Sequence, residues 1–296
     1  MIDGVGLYIR GLSTSIHGSP KQAAKRAADH GLRHVSIMAA WQDLKGGRVT
    51  TAAGNLKSER WVPYAEAFKA AGIDVGLWFY PWAGGETVLL DHLAKAVERG
   101  PVDFLLADPE VGYKWGSKFD NVPVTMRGQG EAVKYTPKAH SSTMKSAANR
   151  LMQGLHELRW NGDGPAMGLT SYGVARYHPN LPWAEFMRGV DIASPQLYTV
   201  SPKQVDDGIE SWWRMHNFAG ELAMVPSIPM FGKNSGANLH HHLSAFVDGE
   251  EDIDGFIGWS WRQTSKAEWE TLARWAAWLE EGLTQTGGVA AGLEIR

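Results

Sequence analysis

Short continuous apolar runs alternate along the whole chain with longer segments whose apolar residues recur at helical spacing. The apolar runs lack the in-out alternation of half-exposed strands, so they predict parallel strands covered on both faces. The predicted strands are Val5–Leu12, His34–Trp41, Asp74–Trp82, Phe104–Glu110, Ala166–Tyr172, Asp191–Val200, Leu222–Phe231 and Gly255–Trp261. The predicted helices are Ser19–His30, Ser58–Ala71, Thr87–Arg99, Ser141–Arg159, Trp183–Arg188, Pro202–Phe218, Leu239–Val247 and Lys266–Leu279.

This strand-then-helix order predicts the fold class. Eight such units in a chain of 296 residues match the usual size of a (β/α)8 barrel. A doubly wound open sheet is the alternative, but it normally has a glycine-rich phosphate turn after its first strand, and the sequence that follows Ile9 has none. We therefore predict one α/β domain, a (β/α)8 TIM barrel over 1–283, with a flexible tail over 284–296.

The connection after the fourth predicted strand is unusually long. It runs over Val111–His140, where a handful of residues would suffice. It mixes aromatic residues, including Tyr113 and Trp115, with lysines and an arginine. Loops at the carboxyl ends of barrel strands usually determine specificity, so we expect a lid or wall of the active site. The alternative is a disordered insertion, against which the aromatic residues argue.

Two carboxylic acids stand at the end of the fourth apolar run. Asp108 and Glu110 are spaced i, i+2. On a strand this spacing would place their Cα atoms roughly 6.6 Å apart and point both side chains into one space. Each carboxyl group then perturbs the pKa of the other, so that one can stay protonated while the other is ionised. The structural alternative is that Asp108 caps a turn and Glu110 pairs with a loop cation.

Such a pair suits glycoside hydrolysis. Glu110 is the candidate general acid, and Asp108 is the candidate ionised partner, either a nucleophile or a support for a substrate acetamido group. Tyr198 is a candidate donor to that group or to the oxocarbenium-like transition state, and the alternative is that it tops the barrel core. Arg10 is a candidate anchor for Asp108 or for a substrate carboxylate. The alternative is that Arg10 forms a buried structural ion pair.

The remaining strand ends are rich in aromatic and amide side chains. Aromatic rings stack on the C–H faces of sugars, and amide and tyrosine groups hydrogen-bond to sugar hydroxyls. This chemistry predicts a neutral polysaccharide better than a phosphorylated metabolite. The candidate substrate-binding residues are Arg10, Trp41, Tyr80, Trp82, Tyr113, Trp115, Tyr172, Gln196, Trp259 and Trp261.

Composition and motifs narrow the function classes. The net charge is −3 and no long basic run is present, so nucleic-acid binding is not indicated. No apolar run reaches membrane-spanning length, and the first residues lack the pattern of a secretory signal peptide. The absence of cysteine excludes thiol nucleophiles and thiolate metal sites. The consecutive histidines at 240–242 point in different directions on a helix, so we expect no metal and no cofactor.

Three short motifs resemble barrel glycosidases. They are Asp108-Pro-Glu110, Pro195-Gln-Leu-Tyr198 and Gly258-Trp-Ser-Trp-Arg262, at the predicted ends of the fourth, sixth and eighth strands. The chain looks closest to the glycoside hydrolase family 25 muramidases and is more distantly similar to the family 18 chitinases. The resemblance implies that Glu110 is the acid, that Asp108 assists the acetamido group or intermediate, and that Tyr198 is the supporting tyrosine.

The resemblance implies an enzyme that hydrolyses an N-acetylhexosamine glycan such as peptidoglycan. A protein of this kind without a signal peptide is consistent with a phage lysin or a virion component. One departure from the family pattern favours a different class. The muramidases have an aspartate at the end of the first strand, where this chain has Arg10. The alternative is a catalytically inactive barrel that binds glycan through its aromatic residues, and a third reading is a barrel enzyme that acts on a small metabolite.

Overall fold

The strands follow the predicted order. The computed structural model describes residues 2–45, 48–52, 54–114, 124–127, 132–135, 141–159, 164–198, 202–215, 222–230 and 253–284. The strands are β1 (Gly4–Ile9), β2 (Leu32–Lys45), β3 (Arg48–Ala52), β4 (Asp74–Tyr80), β5 (Phe104–Ala107), β6 (Val124–Arg127), β7 (Ala132–Tyr135), β8 (Ala166–Tyr172), β9 (Ile192–Gln196), β10 (Ala223–Met224), β11 (Ser227–Pro229) and β12 (Gly255–Trp259).

Helices connect the strands. They are α1 (Thr14–His17), α2 (Pro20–Asp29), α3 (Trp61–Ala70), α4 (Glu86–Arg99), α5 (Ser141–Leu158), α6 (Trp183–Phe186), α7 (Pro202–Met215) and α8 (Lys266–Thr284). The start of α2 shows how the sequence sets a boundary: Ser19 accepts a hydrogen bond from the backbone N–H of Gln22, and Pro20 occupies the first turn.

The parallel strands close into a barrel. Around it they run in the order β1, β2, β4, β5, β8, β9, β11 and β12, and β12 pairs with β1 to complete the circle. The short β10 pairs with β9 and shares the seventh position with β11. This arrangement confirms the predicted (β/α)8 barrel.

Several boundaries differ from the prediction. The second strand continues to Lys45 and folds back as an antiparallel hairpin with β3. The fourth barrel strand, β5, ends at Ala107, so Asp108 and Glu110 follow the strand instead of belonging to it. The long connection contains a 3-10 helix, Val111–Tyr113, and an antiparallel β6–β7 ribbon. The predicted helix Leu239–Val247, the tail beyond 284 and most of the lid or wall lie outside the described residues.

Alternate residues of the strands point to opposite faces of the sheet and pack into two separate apolar cores. On β4, Leu77 and Phe79 pack toward the helices, while Trp78 and Tyr80 point into the barrel. Close packing inside the barrel depends on a glycine of the same strand, because a Cβ added to Gly76 would lie 2.0 Å from a ring atom of Phe104. The inner core fills the barrel, so we expect a site that is open to substrate at its carboxyl-terminal rim.

Candidate active site

The segment after β5 carries the two acids and is fixed by its backbone. The Asp108 N–H donates to the carbonyl of Phe79 at 2.9 Å. The next carbonyl, that of Pro109, accepts from the Ser171 hydroxyl at 2.6 Å. Glu110 then precedes the 3-10 helix. Neighbouring strands on both sides therefore hold the acids at the carboxyl-terminal rim of the barrel.

Gln196 connects the acids to the sixth barrel strand. Its side-chain amide donates to a carboxyl oxygen of Asp108 at 2.8 Å. The same amide lies near enough to Glu110 to lower its pKa. The Tyr80 hydroxyl donates to Glu110 across a longer 3.5 Å contact. The structure thus brings together four residues from the predicted site, although they come from three separate strand ends.

The electrostatic environment favours protonation of both acids. Burial raises the pKa of Asp108 well above its ordinary value, and the charge of Glu110 raises it further. Burial also raises the pKa of Glu110, against the opposing effects of Gln196, Lys114 and Tyr80. Asp108 is the more deeply buried of the two.

Three tyrosine hydroxyls surround the pair. Burial together with the charges of Asp108 and Glu110 raises the pKa of Tyr80 and of Tyr172. The pKa of Tyr198 is raised by burial, by Tyr8 and by the same two acids, although the residue is 36% exposed. All three hydroxyls stay protonated at neutral pH, and each can donate a hydrogen bond toward the acids or a ligand.

Below the acids, the barrel interior contains a cluster of hydroxyl groups. The Tyr8 hydroxyl lies 3.0 Å from that of Ser227, which in turn lies 2.8 Å from Ser194 and 3.4 Å from Thr170. Burial raises the pKa of Tyr8 to about 12. The cluster forms a neutral polar floor under Asp108.

Aromatic side chains line the rim. Trp41 stacks on Tyr80 with ring centroids 4.3 Å apart and an interplanar angle of 11°. The Arg10 guanidinium lies over Trp41, 5.7 Å from the ring centroid, and Arg10 is exposed, so the alternative of a buried ion pair is wrong. Trp82 is partly buried against Gly112 in the 3-10 helix.

Trp259 stands inside the barrel mouth. Its ring contacts Tyr8 and Trp78, with centroid distances of 5.2 and 5.1 Å. It is partly exposed, so one side of the ring remains open to a ligand. Trp259 therefore belongs to the same rim as the acids.

Two predicted substrate-binding residues are corrected. Tyr113 is fully buried, packs edge-on against Phe186 at 5.0 Å and points its hydroxyl at Glu86. Trp261 is also buried and packs against Phe68 and Trp269 on the helix side of the barrel. Neither side chain can reach a substrate. Trp115 lies outside the described residues.

Tyr113 instead anchors the backbone next to Glu110. A Tyr113→Ala change removes a fully buried ring and is expected to lower the free energy of unfolding by about 3–5 kcal/mol. Chemical denaturation measures this. Tyr177→Ala is the matched control, because Tyr177 is 60% exposed and its loss should cost less than about 1 kcal/mol. Equal losses in the two variants would contradict the anchoring role.

Sequence reasoning missed other residues of the site. Tyr8 lies two residues before Arg10 in the predicted strand Val5–Leu12, and strand parity could have identified it. Lys114 and His178 lie in different loops and contact each other. No local pattern in the sequence predicts such a contact. Among the described residues, no group of three potential ligand side chains is arranged to hold a metal ion. None of the described helices is long and apolar enough to cross a bilayer.

Comparisons with known proteins identify the fold. No family model and no curated protein matches the sequence. Among solved structures, an endo-1,4-β-mannanase from Rhizomucor miehei is similar with a TM-score of 0.60 at 9% identity, covering 94% of this chain and 95% of that one. A family 18 chitinase variant from Cycas revoluta in complex with (GlcNAc)4 is similar with a TM-score of 0.57 at 12% identity. The match covers 94% of this chain and 100% of that one.

A third solved structure is a chitinase-like agglutinin from Robinia pseudoacacia, with a TM-score of 0.54 at 13% identity over 92% of this chain and 99% of that one. These neighbours agree with the more distant resemblance, to family 18 barrels, and give no specific support to family 25. At such identities the likeness establishes the fold alone: this chain has the (β/α)8 barrel found in glycoside hydrolases and in a chitinase-like agglutinin.

Proposed function

We propose that this protein hydrolyses glycosidic bonds in a polysaccharide that contains N-acetylhexosamine. The observation that carries the proposal is the pair of buried Asp108 and half-buried Glu110 at the barrel rim, with Gln196 donating to Asp108. Perturbed carboxyl groups beside a row of aromatic rings suit acid catalysis on a sugar. The chitinase neighbour that holds (GlcNAc)4 supports the choice of N-acetylhexosamine over other sugars.

In this proposal the pair shares one proton. Glu110 is the less buried acid, so it faces the glycan and delivers the proton to the glycosidic oxygen as the C–O bond breaks. While Glu110 holds the shared proton, Asp108 carries the negative charge, which Gln196 stabilises through its amide. Asp108 either attacks the anomeric carbon or orients the substrate acetamido oxygen that does so. Water then attacks the anomeric carbon to release the product, and its proton returns to Glu110.

The surrounding groups bind the sugar in this scheme. Tyr198 and Tyr172 remain protonated donors for the acetamido and hydroxyl groups. Trp259 and Trp41 offer partly exposed rings for stacking on sugar faces. Tyr80 is 6% exposed, so its role is to hold Glu110 rather than to stack on a ligand.

The second candidate function is glycan binding without catalysis. Arg10 stands where the resemblance to muramidases would require an acid. A likeness to a chitinase-like agglutinin also favours this candidate. A barrel of this kind would retain the aromatic rim and recognise glycan without cleaving it.

One experiment separates the two candidates. The protein is incubated with GlcNAc oligomers and with peptidoglycan, reducing ends are counted, and affinity for the same glycans is measured by calorimetry. We expect both binding and release of reducing ends. Binding without release would establish the inactive barrel, and cleavage confined to peptidoglycan would support a lysin-like setting. Cleavage that persists undiminished after Glu110→Gln would remove Glu110 as the acid.

A further inference from the structure

A lysine is held in a fixed position beside the acid pair. Lys114 follows the 3-10 helix directly, and its ammonium lies 2.8 Å from Nδ1 of His178 and 3.8 Å from the ring centroid of Tyr172. His178 stacks on Tyr172 at 3.7 Å. An ammonium can donate but never accept, so Nδ1 of His178 accepts and the imidazole is neutral, with its proton on Nε2.

The histidine that accepts from Lys114 is itself anchored. Its backbone N–H donates to Ala175, and its carbonyl accepts from the indole of Trp183 at 2.9 Å. Trp183 packs edge-on against Trp212 on α7. The lysine position is thus set before any ligand arrives, which reduces the entropy lost when a ligand binds to it.

The ammonium has no fixed counter-charge in the part of the chain that the structure describes. No carboxylate oxygen there lies within 4.0 Å of it. Glu110 is near enough to interact, but burial favours the protonated, neutral form of that acid. Partly buried charges are normally paired. Among the described residues, a neutral imidazole and an aromatic face leave the charge of Lys114 without a counter-charge.

We propose that Lys114, held by His178 and Tyr172, binds a carboxylate on the glycan, so that the preferred substrate is an acidic N-acetylhexosamine polysaccharide. The inference rests on the proposed function and deepens it. A substrate carboxylate would supply the missing counter-charge, and the Nε2 proton of His178 would be a second donor. The carboxylate can belong to a uronic acid or to a lactyl ether, which offer the same chemistry.

The competing role for Lys114 is to adjust the acid alone. In the described part of the chain, the groups that face its ammonium are Glu110, Tyr172 and His178. If Lys114 acted only by lowering the pKa of Glu110, replacing Lys114 would change kcat/KM equally for every substrate. Recognition of a carboxylate instead predicts a loss confined to acidic substrates.

The test compares paired substrates. Oligosaccharides of N-acetylhexosamine with either a uronic acid or a lactyl-ether sugar are prepared as the free acid and as the neutral methyl ester. For the wild type, kcat/KM should favour the free acid of one pair by about tenfold to a hundredfold, as expected for a hydrogen bond between charged groups. Lys114→Met should abolish that preference by losing activity on the acid alone. Which pair responds identifies the source of the carboxylate.

Controls keep the outcome clear. Lys95→Met changes an exposed lysine on α4 and should preserve the preference, and thermal unfolding of both variants checks folding. An unchanged preference in Lys114→Met, or equal losses on acid and ester, would overturn the inference.

Calorimetry with the same substrate pairs separates this inference from the proposed function. Tighter binding of the acid that depends on Lys114, without cleavage, would reject hydrolysis and keep the inference. Cleavage of acid and ester without preference would support hydrolysis and reject the inference about Lys114. If neither form binds, both the hydrolysis and the inference are rejected.

Discussion

A Glu110→Gln variant is expected to lower kcat for glycan hydrolysis by about 10²- to 10⁴-fold, the usual contribution of a positioned general acid. Glutamine keeps the shape of the side chain and can still accept from Tyr80, but it has no proton of suitable acidity to give. Affinity for the glycan should stay within a few-fold of wild type. Reducing-end assays at several enzyme concentrations give kcat, and calorimetry gives the affinity.

The matched control is Glu98→Gln on α4, which neutralises an exposed glutamate and should leave kcat unchanged. A loss of kcat in both variants would point to a general effect of charge. Full activity in Glu110→Gln would contradict the assignment of the acid. Lost affinity with retained kcat would place Glu110 in binding instead of proton transfer.

Asp108→Asn should reduce activity by at least about 10²-fold and stabilise the fold at neutral pH. The sign follows from the raised pKa of Asp108 in the folded protein. Above the ordinary value of 3.8 the unfolded chain has released this proton while the folded chain retains it. Stability therefore falls as pH rises toward the folded pKa. Asparagine is never ionised and can still accept a hydrogen bond from Gln196. The variant therefore does not lose this stability as pH rises.

Thermal unfolding from acidic to neutral pH measures the effect. The Tm difference between Asp108→Asn and wild type should grow as pH rises and then level off. Asp206→Asn serves as the control, because Asp206 is exposed on α7 and its replacement should leave the shape of the Tm curve unchanged. A variant that loses stability at neutral pH would show that the carboxylate at 108 supports the fold.

The barrel was predictable because its signals are local. Continuous apolar runs mark the parallel strands, and glycines and caps such as Ser19 mark the helix ends. The end of β5 was less clear, since Phe104–Glu110 reads as one run. Pro109 has no N–H to give to the sheet, which is consistent with a strand that ends at Ala107.

The site was predictable in part. The spacing of Asp108 and Glu110 marked the acids, and the positions of Tyr80 and Gln196 at predicted strand ends placed them on the same rim. Parity fails for Trp261, because the chain leaves β12 after Trp259 and enters a 3-10 helix that turns Trp261 toward α8.

The rest depends on tertiary contacts. How strongly Asp108 holds its proton depends on how deeply the fold buries it. The meeting of Lys114 with His178 depends on two loops far apart in the sequence. Neither feature leaves a pattern in the residues themselves.

The most direct test of the central claim is a crystal structure of the Glu110→Gln variant with a bound N-acetylhexosamine oligosaccharide. We expect a glycosidic oxygen about 2.6–3.2 Å from the side chain at position 110, with Asp108 beneath the acetamido group of the same sugar. An oligosaccharide bound elsewhere, or in the rim with every glycosidic oxygen beyond reach of both side chains, would contradict the account.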